Sequence, residues 1–218
     1  IRESFLQASE FIGRDAELKQ LTTALNTLNE NSAFFLIGGE SGVGKSRLLD
    51  ELRIEALVRN ALVMRGQAVD GGGLPFQLWR NSVRRMLLLV DITDLQAGVL
   101  KDIVTDIDVL MQRDIPDAPE LTGKAYQDRM ILTIVDLFRK LPRPVVLLLE
   151  DVQWADESLT VLEQMLKVPE QLPRLMIVAN YRDDEAPELP EKLTEMTHIK
   201  LERLTPDAVS KLSGAMLG

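Results

Sequence analysis

Short apolar runs alternate with stretches in which apolar residues recur at helical spacing, and the alternation continues along almost the whole chain. Runs at 33–37, 61–65, 145–150 and 175–180, with a weaker one at 199–201, predict strands. Helical spacing over 14–29, 45–60, 76–89, 125–141 and 158–167, and more briefly over 190–196, predicts the intervening helices. The runs at 145–150 and 175–180 are apolar almost throughout, as expected of central strands covered on both faces. Together these elements imply an α/β fold with a parallel sheet between two layers of helices. Gly71-Gly72-Gly73-Leu74-Pro75 reads as a flexible turn, with Pro75 suited to the first turn of a helix. Residues 91–122 break the rhythm with short apolar pieces, several aspartates, Pro116 and Pro119, and predict a small helical insertion with a mobile loop.

Where the first strand gives way to a helix, residues 39–46 read Gly39-Glu40-Ser41-Gly42-Val43-Gly44-Lys45-Ser46, which fits the phosphate-binding pattern G-x-x-x-x-G-K-[S/T]. Its setting of strand, glycine loop and helix is the one this chemistry requires. The glycines let backbone N–H groups approach an anion closely, and the positive end of the following helix adds to the attraction. Lys45 supplies a full charge for the outer phosphates, and the Ser46 hydroxyl is placed to ligate Mg2+. The octet and Arg47 after it are therefore the expected nucleotide-binding segment.

Composition narrows the classes. The 218 residues suffice for one large core, and cysteine is absent, which removes disulfides and thiolate metal sites and suits a cytoplasmic protein. No stretch is apolar for long enough to predict a membrane span, and Arg2, Glu3 and Glu10 interrupt any signal-peptide pattern. The 34 acidic and 25 basic side chains leave a net charge of −9, and no Lys/Arg cluster appears, so direct nucleic-acid binding is not expected. His198 is the single histidine, which excludes a histidine metal site; it reads as a structural residue.

The loop needs carboxylates to hold the metal and activate water. The apolar run at 145–150 ends in Glu150-Asp151, and in a doubly wound sheet that end lies on the same edge as the glycine loop. One carboxylate there can hold Mg2+ and the other can orient or deprotonate water. The next run ends in Tyr181-Arg182, which would bring Arg182 to that edge, within reach of a terminal phosphate; the competing reading pairs Arg182 with Asp183, Asp184 or Glu185. Trp154 is expected to pack over the loop and Asp156 to cap the helix beginning near Ser158.

With these pieces in place, the chain resembles the signal-transduction ATPases with numerous domains (STAND ATPases), within the AAA+-like P-loop NTPases. Phe11-Ile12-Gly13-Arg14-Asp15-Ala16-Glu17-Leu18 looks like the family's N-terminal h-h-G-R-x-x-E-L signature. Glu150-Asp151-Val152-Gln153-Trp154-Ala155-Asp156 is similar to its D-D-x-x-W-A-D segment, and Tyr181-Arg182 to its strand-end arginine. The resemblance implies a P-loop NTPase three-layer sandwich with a five-stranded parallel sheet in the order 5-1-4-3-2. It implies that Ile12 and Gly13 contact adenine, that Arg14 supports that end of the site, and that Arg182 senses phosphate. The catalytic set is then Lys45, Glu150, Asp151 and Arg182, with Ser46 and Glu150 toward the metal and Asp151 toward water. Glu150 stands where the family commonly has aspartate, which alters the geometry around hydrated Mg2+ and implies slow hydrolysis.

The expected function is an ATP-binding and ATP-hydrolysing switch domain of a larger signalling or transcriptional regulator. Its partners are expected to be ATP or ADP, other domains of the full-length protein and a nucleotide-dependent homo-oligomer. A nucleotide-locked scaffold with negligible turnover and a replication-initiator-type ATPase are the alternatives. Residues 1–204 are expected to form the ATPase domain. Thr205-Pro206-Asp207 reads as the start of a further helical unit over 205–218, so the chain is expected to be a fragment.

Overall fold

The structure, a computed structural model, describes residues 12–206 apart from Glu30 and Gly72, together with Ser210. Phe11 of the N-terminal signature and most of the expected unit at 205–218 lie outside the described residues.

Four strands form where apolar runs can be buried, β1 (Ala33–Gly38), β2 (Leu62–Gln67), β3 (Val145–Glu150) and β4 (Leu175–Tyr181), and the edge strand β5 (Thr197–Lys200) buries only Ile199. They pair in the order β2-β3-β4-β1-β5, and every pair is parallel. This is the expected order read from the opposite edge. The chain passes from β1 to β2 at the far edge, returns through β3 and β4, and places β5 on the other side of β1. The order therefore reverses at β1, and ligands in such sheets collect beyond the carboxyl ends of the strands at that point.

Alternation of side chains along the strands divides the core in two. On one face, Phe35, Ile37, Val146, Leu148, Met176 and Val178 pack against α1 (Asp15–Asn26) and α2 (Lys45–Val58). The larger core on the other face takes Leu36, Leu147, Leu149, Ile177 and Ala179. It is closed by α3 (Arg80–Met86), α4 (Asp94–Leu100), α5 (Ile107–Met111), α6 (Gly123–Arg139), α7 (Leu159–Lys167) and α8 (Leu189–Lys192). The helices α4 and α5 both fall within residues 91–122, and α4 is locked at its start by a Thr93–Gln96 capping box.

Four local expectations are corrected. The helix expected over 76–89 is a 3-10 turn, Gln77–Trp79, followed by the short α3, because Phe76 sits in the left-handed region at φ 59° and sets the chain direction before the turn. The helix expected over 190–196 is only α8, and the strand expected over 199–201 runs from Thr197 to Lys200, leaving Leu201 outside it. Asp156 does not cap a helix: it lies inside a 3-10 turn, Asp156–Ser158, at φ 39°, and Ser158 occupies the N-cap of α7.

Candidate nucleotide site

The glycine loop leaves the carboxyl end of β1 and enters α2 without a side-chain cap: Gly44 is the N-cap at φ 100°, and the first turn of α2 carries no acidic residue. The first-turn N–H groups of a helix have no intrahelical acceptor, and the Gly44 N-cap offers these no side-chain oxygen. Gly42 (φ 80°) and Gly44 adopt left-handed conformations that L side chains resist, and open space lies where their Cβ atoms would be. The result is a concave row of amides at the positive end of a helix, a fit for an anionic phosphate chain.

Lys45 is held over this row. It is buried, and its Nζ donates to the carbonyls of Gly39 (2.6 Å) and Glu40 (2.8 Å). Burial pushes its pKa below the usual lysine value, while the nearby Asp151 carboxylate works in the opposite direction. Ser46 is exposed and Arg47 pairs with Glu51 one turn along α2 (2.7 Å). Gly39 cannot carry a side chain here, because a Cβ would meet the Leu201 carbonyl at 2.8 Å and Val43 Cγ2 at 2.9 Å.

The segment leaving β5 closes against the loop. Leu201 N–H donates to Gly38 (2.8 Å), and Arg203 places Nη2 and Nε on Glu40 Oε2 at 2.6 and 2.9 Å. Arg14, a buried guanidinium, donates to the Val43 carbonyl (3.1 Å) and to the Glu202 carbonyl, and pairs with Glu17. Ile12 is half-buried and Gly13 turns the chain at φ 80° beside it. The N-terminal signature, the glycine loop and the exit from β5 are thus joined through one arginine. A cavity of about 460 Å3 opens on this shoulder, lined in part by Glu40, Val43, Asp183 and Arg203.

The carboxylates arrive from β3. Glu150 follows Leu148 by two positions and so shares the face packed by α2. Its Oε1 accepts from Arg65 Nη2 at 2.6 Å, and Arg65 Nη1 reaches Asp50 of α2 at 2.9 Å. Asp151 turns the chain at φ 55°. Its Oδ2 accepts from Gln67 Nε2 at 3.2 Å, and its Oδ1 lies 3.9 Å from Arg182 Nε. A serine hydroxyl and two carboxylates are hard oxygen donors of the kind Mg2+ takes, usually with several waters retained, so the donor set fits that ion.

Of the two readings of Arg182, the pairing with an acidic neighbour is the one displayed. Arg182 stands at the site edge near Asp151, and it pairs with Glu185 at 2.6 Å. Its guanidinium also lies over the Trp154 ring, 4.8 Å from the centroid, so Trp154 packs on the site arginine rather than over the glycine loop as expected. His198 is structural as expected, hydrogen-bonded to the Tyr181 hydroxyl at 3.1 Å. That tyrosine crosses Gly38, where a Cβ would come within 2.7 Å of its oxygen.

Sequence reasoning missed Asn180 and Gln153. Asn180 is 1% exposed and accepts the Asp151 N–H at 3.0 Å; Gln153 accepts the Arg182 N–H at 3.2 Å. These two amides tie the ends of β3 and β4 together. Their own Nδ2 and Nε2 atoms are buried without a hydrogen-bond partner among the described residues. A polar residue inside an otherwise apolar run was the available signal for Asn180.

A glycine loop at the reversal point of a parallel sheet, with lysine, hydroxyl and strand-end carboxylates around it, defines a P-loop NTPase domain. A family model described as "AAA ATPase domain" matches residues 10–178, and the chain belongs to that family. No curated protein matches the chain at a significant level. Among solved structures, the Aeropyrum pernix ORC1 protein in complex with DNA is similar at 16% identity and a TM-score of 0.52, covering 96% of this chain and 50% of that one. A replication initiator DnaA bound to AMPPCP and single-stranded DNA is similar at 15% identity and a TM-score of 0.50, covering 96% and 54%. Domain III of the Thermotoga maritima replication initiation protein DnaA is similar at 14% identity and a TM-score of 0.48, covering 98% and 72%. At such identities the likeness is one of fold, and the chain spans about half the length of the first two. Among the described residues, no helix is long and apolar enough to cross a membrane.

Proposed function

We propose that the chain is the ATP-binding and ATP-hydrolysing switch domain of a larger multidomain signalling or transcriptional regulator of the STAND type. The observation that carries this reading is the uncapped start of α2 under Lys45, with Asp151 close enough to act on the lysine's charge. The amides of the loop take the phosphates and Lys45 neutralises the outer ones. Ser46 and Glu150 would hold Mg2+, which when bound neutralises charge developing on the phosphates. Asp151 acts on the attacking water, and Arg182 meets the terminal phosphate from the end of β4. Ile12, Gly13 and Arg14 form the base end, on the opposite shoulder of the loop.

Switching follows from chemistry that exists only while the terminal phosphate exists. Lys45 and Arg182 both address that group, and Arg14 and Arg203 tie the loop to the exit from β5. Nucleotide state would therefore be felt at the point where the chain leaves the sheet. The Arg65 clamp on Glu150 is consistent with slow turnover, because it draws one carboxylate oxygen toward β2.

The test is thermal stabilisation of the chain by Mg·ATP above that given by Mg2+ alone, together with phosphate release. Stabilisation that Lys45→Ala removes supports the site; no stabilisation of the unaltered chain contradicts it. Binding without detectable release would favour a nucleotide-locked scaffold instead. A third reading, an initiator-type ATPase acting on DNA, is favoured by fold neighbours whose titles name ORC1 with DNA and DnaA with single-stranded DNA. The net charge of −9 opposes it. Salt-dependent DNA affinity in the micromolar range or tighter would establish that third reading.

A further inference from the structure

Arg182 is a proposed phosphate-contacting side chain that the chain already engages from several directions. Its guanidinium lies 4.8 Å from the Trp154 ring centroid, its Nη1 is 2.6 Å from Glu185 Oε1, and its Nε is 3.9 Å from Asp151 Oδ1. Its backbone N–H is fixed separately by Gln153 at 3.2 Å, so the end of β4 stays in place while the side chain has alternatives. Trp154 is half-buried and comes from the 3-10 turn Val152–Trp154, directly after Asp151. Glu185 comes from the turn in which its own N–H donates to the Arg182 carbonyl at 3.2 Å. An aromatic face and a carboxylate thus flank the arginine.

Resting on the reading of Arg182 above, we infer that Trp154 and Glu185 are positioning residues that compete with the terminal phosphate for the Arg182 guanidinium. They set how strongly the domain discriminates a nucleoside triphosphate from a diphosphate. A phosphate that draws Arg182 forward must replace both a cation–π contact and an ion pair. Each is a weak interaction at a partly exposed site, so the competition is close enough for one phosphate to decide it. The diphosphate lacks the group that would displace the arginine, and leaves it on Trp154. The same geometry gives the domain a built-in optical signal. The only other tryptophan, Trp79, is fully buried and donates to the Ser158 carbonyl at 2.8 Å, away from the arginine.

The experiment measures Mg·ATP and Mg·ADP affinities and tryptophan emission for the full chain and its variants. Glu185→Ala should raise the ratio of ATP to ADP affinity about two- to fivefold, and Trp154→Phe should raise it by a smaller factor. Arg182→Ala should lower the ratio, and Glu185→Ala added to it should change nothing further. ATP, but not ADP, should change the emission of the unaltered chain, and Trp154→Phe or Arg182→Ala should abolish that change. An unchanged or lowered ratio in Glu185→Ala overturns the inference, as does the same rise in the Arg182→Ala background. If the unaltered chain binds ATP in a Lys45-dependent way while these variants do nothing, only the positioning role falls. If the unaltered chain binds no nucleotide, the reading of the whole site falls with it.

Discussion

The two ends of the site are built in different ways. The phosphate end is a continuous segment, 38–47, whose conformation is set locally by left-handed glycines and by the start of α2. The carboxylate end is assembled from β2, β3, β4 and the turns after them. Arg65 holds Glu150, Gln67 and Asn180 hold Asp151, and Gln153 and Trp154 hold Arg182. The comparison teaches where each function is vulnerable. In the proposed mechanism, grip depends on backbone shape over a few residues, whereas chemistry depends on strand register and on the amides of Gln67, Gln153 and Asn180.

If that division is correct, substitutions at the two ends should separate binding from turnover. The largest effect belongs to Asp151→Asn: phosphate release should fall by about 100-fold or more, while Mg·ATP affinity stays within about threefold of the unaltered chain. Unchanged release would remove Asp151 from its role. Gly44→Ala meets open space but a φ of 100°. It should weaken ATP binding by about tenfold through backbone strain on the order of 1–3 kcal/mol, read by titration calorimetry. At the carboxylate end, Asn180→Ala leaves the Asp151 N–H without its acceptor. A cost of about 1–2 kcal/mol is expected, seen as a melting temperature lower by roughly 2–6 °C.

The smallest effect concerns pH. The folded-state pKa of Lys45 is lowered, so the folded protein carries a penalty for the charged lysine that is fully present below that lowered value. The penalty is relieved as pH rises from the folded pKa toward the unfolded value of 10.5, and stability gains in that window. Lys45→Met should remove that contribution from the alkaline slope of a denaturant-midpoint series. An identical slope in both proteins would mean that burial does not govern this lysine.

The same division explains what the sequence revealed. Strand, loop and helix at 33–58 are legible because the determinants are adjacent: an apolar run, three glycines and a periodic helix. The order of strands was legible through resemblance, and the short helices within 91–122 through the broken periodicity there. The carboxylates were visible as Glu150-Asp151, but the Arg65 clamp depends on β2 lying beside β3, which no local pattern encodes. Asn180 hid inside the apolar run of β4, where its role appears only once the Asp151 N–H is opposite its oxygen. Trp154 and Asp156 were misjudged because their positions follow from left-handed residues, Asp151 and Asp156, that no glycine announces.

The central claim is that residues 38–47, closed by Arg14 and the exit from β5, hold a nucleoside triphosphate. Hydrogen–deuterium exchange with and without Mg·ATP tests it most directly, because it locates the ligand as well as detecting it. Slowed exchange is expected at 39–48, with further slowing at 12–14 and 199–203, and none of it in Lys45→Ala. Protection confined to the crevice lined by Gln67, Leu78 and Trp154, or no protection anywhere, would contradict the claim.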